Sequence, residues 1–149
     1  MDRTTGETFG DAVAMVNAYL ARFAERAGTP IPSLDESGYV QMRHGSANVS
    51  VSVLADHGVL LFLAPIMKVP KARHEELYRR LLELSFLQTS DAAFAIDAQK
   101  EEVFVRALRR LSGLDYEEFE DLLDTVGKVA DAWDDALREE FGGGQPTQD

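Results

Sequence analysis

The chain has no cysteine, a single tryptophan and five prolines in 149 residues. Without thiols there is neither a disulfide framework nor a thiolate zinc site, which suits a reducing cytosol. Positive charge is scarce too. Fifteen Lys and Arg stand against 26 Asp and Glu, a formal net charge of −11. Nucleic-acid binding is driven by counterion release and needs clustered bases. The clusters present, Lys68-Lys71-Arg73 with Arg79-Arg80, and Arg106-Arg109-Arg110, are small and have acids nearby. No nucleic acid and no membrane is therefore expected as a partner. Long apolar runs are missing as well: the longest, 59–64, is closed by Pro65, whereas a bilayer demands about 20 apolar residues. The opening MDRTTGETFG lacks the apolar centre of a signal peptide. These absences together predict a cytoplasmic protein.

What remains is an ordinary globular composition, 45% apolar and 28% charged, enough for one cored domain. The expected organisation is a flexible N-terminus over 1–8, a single domain over 9–141 and a disordered tail over 142–149. Thr8 and Asp11 have capping-box spacing. Phe9, Val13, Val16, Leu20, Phe23 and Ala27 then recur at steps of three and four, the stripe of an amphipathic helix. Gly28, Pro30 and Pro32 stop it. Three strand-like runs follow at 39–43, 48–54 and 58–66, joined by short glycine-bearing links that predict a meander. The third is apolar on both faces, like a central strand covered on both sides.

Pro70 stands where a second helix can begin, and its leucines carry it to about Phe86. Two short strands, 92–97 and 102–108, come next. Asp115 and Glu118 signal a last helix, with Phe119, Leu122, Leu123, Val126, Val129, Ala130, Trp133 and Leu137 on one stripe. Gly142-Gly143-Gly144-Gln145-Pro146 reads as a frayed end. The predicted fold is α+β, in the order α-β-β-β-α-β-β-α, a twisted antiparallel sheet with helices packed on it.

Chemistry is hard to find in these residues. His44, His57 and His74 fall on a strand end, a loop and a helix surface, without partner ligands on their own faces, and are expected in solvent. Glu117 with Asp121, and Asp131 with Asp135, share a helix face at a spacing of four, but general acid/base work needs a dry pocket rather than a solvated face. No nucleophile elbow and no phosphate-binding glycine loop occurs. The expectation is a protein with no catalytic residue, no metal and no cofactor.

Apolarity, by contrast, is in surplus. Leu54, Leu60, Phe62 and Phe104 are expected to offer sheet surface to a partner. The second helix is apolar over a wide arc, and Leu77, Tyr78, Leu81 and Leu84 are expected to form a homodimer seam, the alternative being that all of this apolar surface is the core of a single chain.

One succession is more specific. Leu81-Leu82-Glu83-Leu84 leads to Ala93-Phe94-Ala95-Ile96-Asp97 and Glu102-Val103-Phe104-Val105, then through Leu114-Asp115 to Leu122, Val126, Ala130 and Trp133. It resembles the C-terminal half of the class I type III secretion chaperones, the CesT (Tir chaperone) family, and the likeness extends over roughly 9–141. The resemblance implies a homodimer that binds the unstructured N-terminal segment of a secreted client and keeps it soluble. It also implies that helix two supplies Leu77, Leu81 and Leu84 to the dimer contact. Where family members often carry Asn at the end of the leucine-rich helix, this chain reads Ser85-Phe86-Leu87. YbjN-like proteins share the fold, so a regulatory or adaptor module binding a folded partner is the alternative.

Overall fold

The computed structural model describes residues 9–144 and 146. Segment 1–8, with Thr8 of the expected capping pair, lies outside the described residues, as do Gln145 and 147–149. Nine elements follow one another: α1 (Phe9–Ala27), β1 (Tyr39–His44), β2 (Ala47–Leu54), a 3-10 turn (Ala55–His57), β3 (Val59–Lys68), α2 (His74–Leu87), β4 (Ala93–Asp97), β5 (Glu102–Arg110) and α3 (Tyr116–Phe141). The predicted order of helices and strands is the observed one.

The strands form one antiparallel sheet in the order β1-β2-β3-β5-β4. Alternation divides each strand between two faces. Val40, Met42, Val49, Val51, Val53, Leu60, Phe62, Ala64, Val103 and Val105 are buried on one face. On it Phe62 meets Phe119 of α3, with ring centroids 5.8 Å apart. All three helices lie on this side. α3 lies against β1, β2, β3 and β5, α1 packs beside it through Tyr19 and Phe119, and α2 covers β4. Val59, Leu61, Leu63 and Pro65 point the other way and are only half-buried. The expectation that β3 is covered on both sides is therefore corrected: the helices cover one face.

Pro65 cannot donate to the sheet ladder, yet it sits in a central strand. The register shifts between Pro65 and Met67, and such a bulge is where a central strand tolerates proline. It also turns both Ile66 and Met67 into the core.

α3 starts as its sequence predicts. The Asp115 carboxylate accepts the Glu118 N–H at 2.8 Å, and Glu118 reaches back to the Asp115 N–H at 3.3 Å. Asp97 and Glu102 bracket the β4–β5 turn, where Asp97 accepts the N–H groups of Gln99 and Lys100. The expected start of α2 at Pro70 is displaced to His74, because Arg73 stands in the left-handed region at φ 63°. Its guanidinium lies 4.8 Å over the Phe141 ring and donates to the Glu140 carbonyl and Glu76 carboxylate. The start of α2 is thereby clamped to the end of α3.

Gly142–Gly144, the described part of the expected tail apart from Pro146, docks on β3. The Lys68 N–H donates to the Gly144 carbonyl at 3.0 Å. A Cβ on Gly143 would lie 2.7 Å from the Lys68 carbonyl, so only glycine fits there.

Candidate protein-binding surfaces

α2 has two apolar sides. Leu77, Leu81 and Leu84 are buried within the chain. Leu77 keeps no exposed surface, and Leu81 and Leu84 keep only 5% and 7%, so the core takes nearly all of the surface that the expected seam would use. Tyr78, the fourth residue of that set, points outward at 38% exposure. It begins a row with Leu82, 73% exposed, and Phe86, 81% exposed, four residues apart and so on one face. Leu87 follows at 77%. Glu75, Arg79 and Glu83 flank the row and with it line a shallow groove. Arg79 pairs with Glu83 at 3.1 Å. Exposing three large apolar side chains in succession is unfavourable for an isolated helix, and such a patch marks a contact surface. The signal was in the sequence as the 78-82-86 spacing, masked by the equally regular 77-81-84 row that the core uses.

Both ends of the helix are bonded to neighbouring segments. His74 stacks on Tyr78, centroids 5.9 Å apart, and bonds the Pro70 carbonyl through Nε2. At the other end the Ser85 hydroxyl accepts the Phe94 N–H at 3.0 Å, which ties α2 to edge strand β4. Serine supplies the acceptor in this chain.

The sheet set divides in two. Leu54 and Phe104 lie half-buried on the helix-free face. Leu60 and Phe62 alternate onto the covered face and are wholly buried, so their assignment to a partner surface is corrected. Leu61, Leu63, Pro65 and Leu108 take their place, with Leu61 opposite Leu108 and Pro65 opposite Phe104.

The polar residues weighed for chemistry serve as joints. His44 Nε2 bonds Asp124 at 2.9 Å, and its ring packs on Gly127, where a Cβ would lie 2.4 Å from it. Neither His44 nor His74 is simply solvated, contrary to expectation, because the close packing of α3 on the β1 end draws the first inward. Arg26 of α1 pairs with Glu120 and with Asp124, the latter at 3.2 Å. Asp131 accepts from the Ser46 hydroxyl and, at 3.2 Å, from its N–H, and these bonds hold its carboxyl below the usual range. Burial and the Glu120 carboxylate push the Tyr116 phenol up. Among the described residues no three His, Cys, Asp or Glu side chains converge as metal ligands, and no helix is long and apolar enough to cross a membrane.

A helix-backed sheet with one open apolar face, next to a helix turned apolar side out, defines a protein-binding module. The model of the Tir chaperone protein (CesT) family matches residues 18–134, and the chain belongs to that family. It is a type III secretion chaperone-like protein that binds a partner protein. A chain of the ExsC–ExsE complex is 28% identical, with TM-score 0.67 over 84% of this chain and 95% of that one. A chain of the heterodimeric ExoU–SpcU complex from the type III secretion system of Pseudomonas aeruginosa is similar in fold, with TM-score 0.62, 18% identity and coverage of 83% and 97%. YbjN of E. coli has TM-score 0.53 at 15% identity, over 86% of this chain and 94% of that one. No curated protein sequence matches the chain.

Proposed function

We propose that the protein is a cytoplasmic, non-enzymatic homodimeric chaperone that holds a secreted client in a soluble, export-ready state. The single observation that carries the dimer is the outward row Tyr78, Leu82 and Phe86. Two copies of α2 crossing at Leu82 would set Tyr78 of each against Phe86 of the other. The alternating charges of Glu75, Arg79 and Glu83 suit the same two-fold arrangement, since Arg79 then finds a carboxylate across the seam as well as within its own helix. Folded partners would favour the adaptor alternative, but an open apolar sheet face suits a segment that folds or extends on binding.

Client binding is tested by co-expressing the chain with the protein encoded by the adjacent gene, intact or lacking its N-terminal segment. The expected result is a soluble complex with two copies of this chain per client, lost on truncation. A complex that survives truncation and forms with a folded domain would contradict the chaperone reading and support the adaptor.

A further inference from the structure

Among the described arginines of the helix layer, all but Arg22, whose guanidinium lies 4.1 Å over the Tyr116 ring, hold a carboxylate. Those that do, on or against that layer, are Arg26, Arg73, Arg79, Arg80, Arg109 and Arg138. Arg43, Arg106 and Arg110 point from the strands onto the open sheet face, and none holds a carboxylate among the described residues. In a protein of net charge −11, three arginines without a carboxylate share the one face that has no helix. Arg106 is half-buried, directly opposite Leu63 on one side and Ala93 on the other. Arg110 stands opposite Val59, and Leu108 lies between the two on the same strand face.

We propose that this face, along β3 and β5, receives an acidic amphipathic helix of a partner chain. The inference rests on the protein-binding reading above and names the partner's chemistry. Apolar side chains of the incoming helix would cover Leu61, Leu63, Phe104 and Leu108, and its flanking carboxylates would pair with Arg106 and Arg110. A helix is the natural cover for a sheet face, because it satisfies its own backbone, whereas an extended segment lying flat on the face would leave its amides unpaired. Arg106 and Arg110 are about 13 Å apart along the strand, so carboxylates about two and a half turns apart on the helix reach both. Arginine also presents a planar fork suited to carboxylates. Nucleic acid fits poorly, since it offers no apolar side chains to Leu61 or Phe104 and meets the repulsion of the whole molecule.

The test uses two labelled synthetic helices of about five turns with the same leucine stripe, one flanked by Glu and the other by Lys. Each is titrated into the full chain by fluorescence anisotropy at about 0.15 M salt. The protein's overall charge favours the Lys peptide, so tighter binding of the Glu peptide by roughly tenfold or more would have to come from a local cationic site. Arg106→Gln is expected to reduce Glu-peptide affinity by roughly tenfold, and Arg110→Glu, at an exposed position where folding is not at risk, by as much or more. Lys128→Gln, which removes an exposed cation of α3 on the helix side, should leave it unchanged. Preference for the Lys peptide, equal binding of both, or wild-type affinity in Arg110→Glu would overturn the proposal. A change of oligomeric mass in Arg110→Glu would overturn it too, by giving the face to a second copy of the chain. Client capture in co-expression is read separately, so the chaperone function can stand where the acidic-helix site falls.

Discussion

Gly127 sits in the middle of α3, where alanine would normally stabilise a helix by about 1 kcal/mol. Here the His44 ring occupies the space a Cβ would need, at 2.4 Å. Gly127→Ala is therefore expected to lower stability by about 1–3 kcal/mol through overpacking. In a His44→Ala background the same change should stabilise. Urea midpoints of the four variants check both signs, and a loss that persists without the imidazole would contradict the packing account. Asp131 gives a second residue-scale expectation. Its carboxyl is held low by Ser46, and Asp35 is held low by the Ser37 hydroxyl and the Tyr39 N–H. A depressed folded-state value favours the native state above the ordinary carboxylate range, and that contribution is lost as pH falls through the folded value. Stability should thus decline below about pH 4, less steeply in Ser46→Ala. An identical acid limb in that variant would exclude the Ser46–Asp131 joint as a contributor. Neither the His44–Gly127 nor the Ser46–Asp131 joint was legible in the sequence, because each pairs residues some eighty positions apart through the closeness of α3 to the β1 end.

At the scale of elements, period and punctuation carried most of the information. Alternation in β1 and β2, the three-and-four stripe of α1, and the Asp115–Glu118 start of α3 are local signals, and the structure keeps them. What failed was assignment of faces within elements that are apolar all round. β3 and α2 each carry two regular apolar rows, and periodicity alone does not say which row the core takes. The choice is made by tertiary packing: α3 lies over Leu60 and Phe62, and the β4 side of α2 takes Leu77, Leu81 and Leu84. A pair of substitutions one residue apart separates the rows. Leu81→Asp places an unpaired carboxylate in the core and should prevent folding, with loss of the cooperative unfolding transition. Leu82→Asp should leave the monomer folded, with unchanged far-ultraviolet circular dichroism. Similar behaviour of the two would contradict the assignment of faces. Trp133, expected in the core, is only partly buried beside Gln88, Ser90 and Val129. Trp133→Ala should cost about 1–3 kcal/mol, less than the 3–5 of a fully buried ring.

For the whole molecule, three helices on one side of a five-stranded sheet leave two apolar surfaces without cover: the open sheet face and the outer row of α2. A layered fold normally closes both sides of its sheet, and here the second layer is left for other chains. The acidity of the molecule fits that arrangement, because net charge keeps a protein with exposed apolar surface from associating at random. The two surfaces differ in charge, which separates their roles. The α2 row is bordered by both signs and suits its own image, whereas the sheet face is bordered by unpaired arginines and suits a partner of opposite charge. The most direct measurement is the sedimentation-equilibrium mass of the wild type and of Leu82→Asp at micromolar concentration. The account predicts twice the 16.5 kDa chain mass for the wild type and the single-chain mass for the variant. A wild type that sediments as one chain, or a variant that remains double, would contradict it.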